Sequence, residues 1–247
     1  MSPRQRERNR WQRDERVRAG HFTWWEYVLT ILVLLALPVL PVAVIEGCAA
    51  LLGQETLDSG ARGRCVAELQ RASRSLVTLA GRLLTLTELE SGDFPGEKQT
   101  CSLCAQLSDC VLRYEEALDQ KHIEVTMDVD EDLTVEANPA LLELVWDSLI
   151  SNAVKFAPEE GRIILQAGRD GGGVSVSIRD NGCGMSDATM NRAFDLFYQG
   201  DESHAQEGSG LGLSVARAAA RLCEGTISVQ SREGVGTEFR VHLPGEA

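Results

Sequence analysis

The twelve residues VSVSIRDNGCGM, Val174 to Met185, decide the architecture. Val174, Val176 and Ile178 alternate with Ser175, Ser177 and Arg179, the period-two pattern of a strand with one buried face. Parity puts Asp180 on the apolar side as well, where a carboxylate needs hydrogen-bond donors. Asp-Asn-Gly often closes a hairpin, but no second alternating strand follows. Ser186 reads as a helix N-cap, and Met190, Ala193, Phe194 and Phe197 then step at helical spacing. The stretch is a strand running into a glycine loop, Gly182 and Gly184, with a carboxylate at its mouth. Glycines there let a flat ligand approach the backbone.

Upstream, Leu142, Trp146, Leu149 and Ala153 form the apolar stripe of a helix over 139–157, with Ser148, Asn152 and Lys155 on another face. Downstream, Gly208-Ser-Gly210-Leu-Gly212-Leu213 opens a helix over 211–223. Glycine-loosened N–H groups at a helix start cradle phosphates. The motif is neither a Walker loop nor a dinucleotide fingerprint. Between the two glycine loops, residues 198–209 are polar and are expected to close as a lid. Further strands are expected over 123–129, 133–137, 162–168, 226–230 and 236–243, and further helices over 103–121 and 187–195. Alternating strands beside long helices argue for an α+β chain, one sheet covered by helices.

From Cys65 the apolar positions Leu69, Ala72, Leu76, Leu79, Leu83 and Leu86 repeat in steps of four and three, a seam for a partner helix. With a shorter helix over 46–57 and a turn at Asp58-Ser-Gly60, residues 46–92 form a helical hairpin that would dimerise into a bundle. Residues 93–102 read as a linker. The N-terminal 23 residues are a basic leader: seven arginines against three acids in residues 1–20 give +4, and the rest of the chain carries −17 of a total of −13. So acidic a body disfavours nucleic acid as a partner. Residues 24–45 hold Trp24, Trp25 and Tyr27, then an apolar run from Val28 to Ile45, and are expected to associate with a membrane, spanning or re-entrant. Pro38 and Pro41 are expected to kink or end a helix there. Seven cysteines with one C-x2-C, Cys101 and Cys104, lack the second half of a zinc site.

In order and spacing, SLISNAVKFAP (148–158), DNGCGM (180–185), FDLF (194–197) and GSGLGLS (208–214) resemble the N, G1, F and G2 boxes of the sensor histidine kinases of two-component systems. Their ATP-binding fold is shared with gyrase-type and Hsp90-type ATPases. The resemblance implies an ATP-binding α/β sandwich, a mixed sheet covered by helices, over 103–247, with ATP and Mg²⁺ as cofactors. It implies that Asn152 ligates Mg²⁺, Lys155 contacts the phosphates and Asp180 accepts from the adenine amine. Gly182 and Gly184 would shape the base pocket, Phe194 and Phe197 would anchor the lid, and Gly208, Gly210 and Gly212 would hold the phosphates. Ser148, Phe156, Met185, Leu211 and Leu213 complete the implied ATP-binding set. LLTLTELESGDF (83–94) looks like the second helix of the family's dimerisation domain, implying a homodimer.

Two departures stand out. Ser148 takes the place of the family's first N-box asparagine. Pro41-Val-Ala-Val-Ile-Glu-Gly47 matches the second half of the phosphoacceptor motif, yet the acceptor position holds Ala36. His21, His122, His204 and His242 lie outside that context, so autophosphorylation at the usual position is expected to be absent. The implied setting is a bacterial cytoplasmic membrane with the ATP-binding domain on the cytoplasmic side, and a response regulator or partner kinase as partner. The alternatives are a non-catalytic ATP-binding, dimerising pseudokinase, or an anti-sigma-type serine kinase, against which the heptad helix argues.

Overall fold

The computed structural model describes residues 39–53, 58–92, 94–200 and 209–245, and the chain divides into two compact units, Met1–Val77 and Thr78–Ala247. In the first unit, α1 spans Val39–Leu52 and α2, Ser59–Ser91, begins. α1 therefore starts before the expected hairpin boundary at residue 46, and Pro41 does not break it. A proline in the first turn lacks only an N–H that no helix satisfies there. Residues 24–38, most of the expected membrane-associated segment, lie outside the described residues. The 14 residues of α1 reach about 21 Å against about 30 Å of hydrocarbon. Among the described residues no helix is long and apolar enough to cross a membrane.

The expected turn at Asp58 is the cap of α2: Asp58 Oδ1 accepts from the Ala61 N–H at 2.8 Å. Along α2 the seam residues Cys65, Leu69, Ala72 and Leu76, and beyond the unit boundary Leu79, Leu83 and Leu86, are buried or half-buried, whereas Val66, Val77 and Leu84 are exposed. On α1 the less exposed positions Val44, Ile45, Cys48 and Leu52 also recur at helical spacing. The Cys48 thiol is pushed up, chiefly by burial and then by the Cys65 thiol that lies within hydrogen-bonding reach on α2.

The second unit holds the end of α2, then β1 (Gln99–Ser102), α3 (Leu103–Leu112), α4 (Glu115–Gln120), β2 (Glu124–Val129), β3 (Thr134–Ala137), α5 (Pro139–Phe156), β4 (Arg162–Asp170), β5 (Gly173–Asp180), α6 (Asp187–Arg192), α7 (Gly212–Leu222), β6 (Thr226–Arg232) and β7 (Gly236–Pro244). Five strands form a mixed sheet in the order β2-β4-β5-β7-β6, with β2 and β4 parallel and the other pairs antiparallel.

Two expectations need correction. The linker 93–102 contains β1, which pairs antiparallel with β3, Cys101 opposite Val135. Four residues are too few for a period-two pattern to register, and the strand exists because β3 offers a ladder. The single helix expected over 103–121 breaks at Arg113-Tyr114. There Arg113 Nη1 meets Glu143 at 2.6 Å and the Tyr114 hydroxyl donates to Asp147 Oδ1 at 2.8 Å, tying the corner to α5.

The core lies between one sheet face and the helices. Ile163, Leu165, Val174, Val176, Ile178, Phe239, Val241 and Leu243 point into it, as do Leu142, Trp146, Leu149 and Ala153 of α5 and Leu86 and Leu89 of α2. Each such side chain contributes roughly 1.5–3 kcal/mol of burial if large. Trp146 is fully buried and its indole N–H donates to Gln106 Oε1 at 3.2 Å, so its one polar atom is satisfied. α5 begins on an Asn138 cap whose Oδ1 accepts from Ala140 N at 3.0 Å, with Pro139 as its first residue.

Candidate functional site

β5 carries Asp180 to the edge of the core on the side that parity assigns, and the residue is only 5% exposed. Its Oδ1 accepts from the Gly182 N–H at 2.8 Å, and the Thr237 backbone N–H supports it from β7. Burial pushes the carboxyl above its ordinary value, and the backbone donors pull it partly back. The chain then bends at Gly184, where φ is +69° and a Cβ would stand 2.0 Å from the Arg232 carbonyl oxygen. Met185 N–H donates to Ser231 Oγ at 2.8 Å, and Ser186 caps α6 through the Thr189 N–H at 3.2 Å.

α5 supplies the opposite set of chemistry. Ser148 is buried, whereas Asn152 and Lys155 are half-buried. The Lys155 ammonium sits 4.6 Å from the Phe156 ring centroid. Burial lowers Lys155 from its ordinary value, and the charge of Arg82 lowers it further. Lys121 Nζ closes this end of α5 by donating to the carbonyls of Val154, Lys155 and Ala157 at 2.9, 2.8 and 3.1 Å. A cation on the last carbonyls of a helix also meets the negative end of its dipole.

The two aromatic residues of FDLF are tied down on either side. Phe194 packs edge-on against Phe239, with centroids 6.3 Å apart, and its carbonyl accepts from Arg217 at 2.9 Å. Phe197, at φ +62°, donates its N–H to the Gly210 carbonyl at 3.0 Å. Gly210 must be glycine here: φ is +65°, and a Cβ would stand 2.6 Å from the Phe197 carbonyl carbon. α7 then starts at Gly212, with no side-chain cap on its first N–H groups.

These pieces enclose a cavity of about 540 Å³. Of the residues singled out in the sequence, Asn152, Lys155, Phe156, Asp180, Gly184, Met185, Gly210, Gly212 and Leu213 line it. Ser148, Gly182, Phe194, Phe197 and Leu211 do not line it, and Leu211 is fully buried. Gly208 and most of the expected lid lie outside the described residues. Arg82, Thr189, Tyr198, Ser209, Glu233 and Thr237 also line the cavity. Their sequence signals are weak, since each is an ordinary polar residue whose role depends on elements meeting across the fold. His122 occupies an exposed turn and His242 a strand, and neither is on α1 or α2.

The comparisons with known proteins converge on this region. The family described as histidine kinase-, DNA gyrase B- and HSP90-like ATPase matches residues 137–247. The sensor-like histidine kinase SenX3 of Mycobacterium tuberculosis is 28% identical over 204 residues, which is 80% of this chain and 50% of that protein. The sensor histidine kinase WalK of Bacillus subtilis is 29% identical over 180 residues, 71% of this chain and 29% of its own length. The chain thus spans about half the length, or less, of these curated relatives. Among solved structures, the catalytic domain of the histidine kinase ThkA superposes with a TM-score of 0.54 at 25% identity, over 60% of this chain and 95% of that one. ThkA in complex with the response regulator TrrA shares the fold at TM-score 0.71 and 20% identity, over 98% of this chain and 66% of that one. Residues 137–247 are therefore a domain of the histidine kinase-, DNA gyrase B- and HSP90-like ATPase family, and the chain is related through it to the sensor histidine kinases.

Proposed function

We propose that the chain binds Mg²⁺-ATP in the cavity and works in two-component phosphoryl signalling. The observation that carries this reading is one cavity lined both by the buried Asp180 carboxylate and by Asn152, Lys155 and the start of α7. Asp180, an acceptor-only group when ionised, is suited to the adenine amine. Phe156, Met185 and Leu213 supply apolar faces for the base. Lys155 and the N–H groups at Gly210 to Gly212 suit the phosphates, since a helix start favours anions.

The residues also fit a magnesium ion. Among the described residues no cluster of three or more His, Cys, Asp or Glu is built to hold a metal, and Mg²⁺ in nucleotide sites needs few protein ligands besides the phosphates. The Asn152 amide oxygen would be its protein ligand, and the ion would supply charge neutralisation on the phosphates. Ser148, buried and not among the lining residues, keeps a hydroxyl where the family's N box begins with an amide. Phosphoryl transfer asks mainly for positioning and charge screening, which this set provides.

Membrane association through residues 24–45, a cytoplasmic ATP-binding domain, homodimerisation along the α2 seam, and a response regulator as partner (ThkA is seen with one) belong to the same proposal. Ala36 at the acceptor position favours a second form of it, in which the chain binds nucleotide and dimerises to regulate a partner kinase without phosphorylating itself at that site. Incubation of the full chain with ATP labelled in its γ-phosphate separates the two. We expect saturable ATP binding and no acid-labile label on residues 36–91. Acid-labile label there contradicts the loss of the acceptor, and absence of binding contradicts the whole reading.

A further inference from the structure

We propose that Arg82 is a nucleotide-phosphate ligand, carried into the cavity wall by the C-terminal half of α2. The inference rests on the reading of the cavity as an ATP site and adds to it a residue that lies in none of the four boxes. Arg82 is half-buried and lines the cavity with Asn152, Lys155 and Gly212. Its Nη1 donates to Ser209 Oγ at 2.9 Å and stands 3.9 Å from where a Cβ on Gly212 would be, beside the first residue of α7.

The electrostatics of that placement are unfavourable without an anion. The guanidinium is close enough to Lys155 to lower the lysine's affinity for its proton, and it faces the positive end of a helix. Some arginines of this unit pair with carboxylates, Arg113 with Glu143 at 2.6 Å and Arg162 with Glu124 at 3.1 Å, whereas Arg217 donates to the Phe194 carbonyl. Among the described residues Arg82 has a serine hydroxyl, and neither Arg82 nor Lys155 has a carboxylate partner. A guanidinium carries five donors in a planar fork matched to phosphate oxygens. Asp180 and Glu233 also line this volume, but neither pairs with Arg82 or Lys155. Two cations beside a helix start favour a ligand bearing several negative charges, which a nucleotide triphosphate has.

The competing role is structural, with Arg82 only holding Ser209 in place. Equilibrium titrations of the full chain with Mg²⁺-ATP and with adenosine separate the two. We expect Arg82→Ala to weaken ATP binding about tenfold, the loss of one charge-assisted contact, and to leave adenosine within about twofold of the parent. Arg82→Lys should recover part of the ATP affinity, because it keeps the charge and loses the fork. Ser209→Ala should cost ATP binding less than Arg82→Ala does. The proposal is overturned by an Arg82→Ala chain that binds ATP as the parent does. It is equally overturned if ATP and adenosine weaken together, or if Ser209→Ala reproduces the ATP loss. A parent chain that binds neither ligand defeats the ATP reading and this assignment with it. A parent that binds both, with Asp180→Asn losing both and Arg82→Ala losing neither, defeats this assignment alone.

Discussion

An Asp180→Asn chain folds and loses about 10- to 100-fold in affinity for adenine nucleotides, the cost of one hydrogen bond to a charged acceptor in a buried site. The carboxylate accepts from the Gly182 and Thr237 N–H groups and still has lone pairs for a ligand amine. An amide keeps one acceptor oxygen, which the Gly182 N–H occupies, and turns the other position into a donor. That donor then faces either the Thr237 N–H or the ligand amine. Folding survives because the change also removes a buried charge. The folded carboxyl is raised above its unfolded value, so the charged form weakens the fold as pH rises through the interval between the two values. Removing the charge offsets part of the lost hydrogen bonding at neutral pH. The parent should show the same chemistry by titration. Nucleotide affinity falls on acidification as Asp180 takes up a proton, starting at a higher pH than an ordinary carboxylate would. A thermal melt within a few degrees of the parent, together with a nucleotide titration, checks the variant. Unchanged affinity removes Asp180 from the site.

Gly184→Ala is expected to damage the fold itself, and Gly234→Ala measures how much of that damage is backbone strain alone. Both glycines have positive φ, +69° and +72°. At Gly234 a Cβ meets nothing within 4 Å, so alanine costs about 1 kcal/mol for the left-handed conformation. At Gly184 the Cβ would stand 2.0 Å from the Arg232 carbonyl oxygen and 2.6 Å from its carbon. The loop must then leave β6, breaking the Met185–Ser231 hydrogen bond that sits beside the cavity. Together, strain and displacement cost about 3 kcal/mol or more. Denaturant unfolding of the two variants checks this, with midpoints well separated and Gly184→Ala the lower. Equal midpoints mean that the close approach to Arg232 is not a constraint.

Much of the second unit is legible in the chain because its patterns are local. The alternation of Val174, Val176 and Ile178 gives β5 and the face of Asp180, and the stripe Leu142-Trp146-Leu149-Ala153 gives the buried side of α5. Ser186 announces the start of α6 by capping chemistry alone. What resists reading is set by partners distant in sequence. β1 is a strand only because β3 lies beside it, and the break at Arg113-Tyr114 exists because Glu143 and Asp147 wait on α5. The same holds inside the site. Asn152, Lys155 and Asp180 lie in recognisable motifs, but Arg82 reaches Ser209 across 127 residues, and Lys121 reaches the end of α5 across more than thirty. Ordinary polar residues at ordinary positions acquire these roles only once the elements are assembled.

Occupancy of the cavity lined by Asp180, Lys155 and Gly212 by an adenine nucleotide is tested most directly by photo-crosslinking. The full chain, irradiated with an azido-adenine analogue of ATP in the presence of Mg²⁺, should carry adducts on peptides from 151–156 and 183–200. Excess ATP should suppress those adducts, and Asp180→Asn should need a higher concentration of the analogue to form them. Adducts that map elsewhere, or that persist under excess ATP, contradict the account.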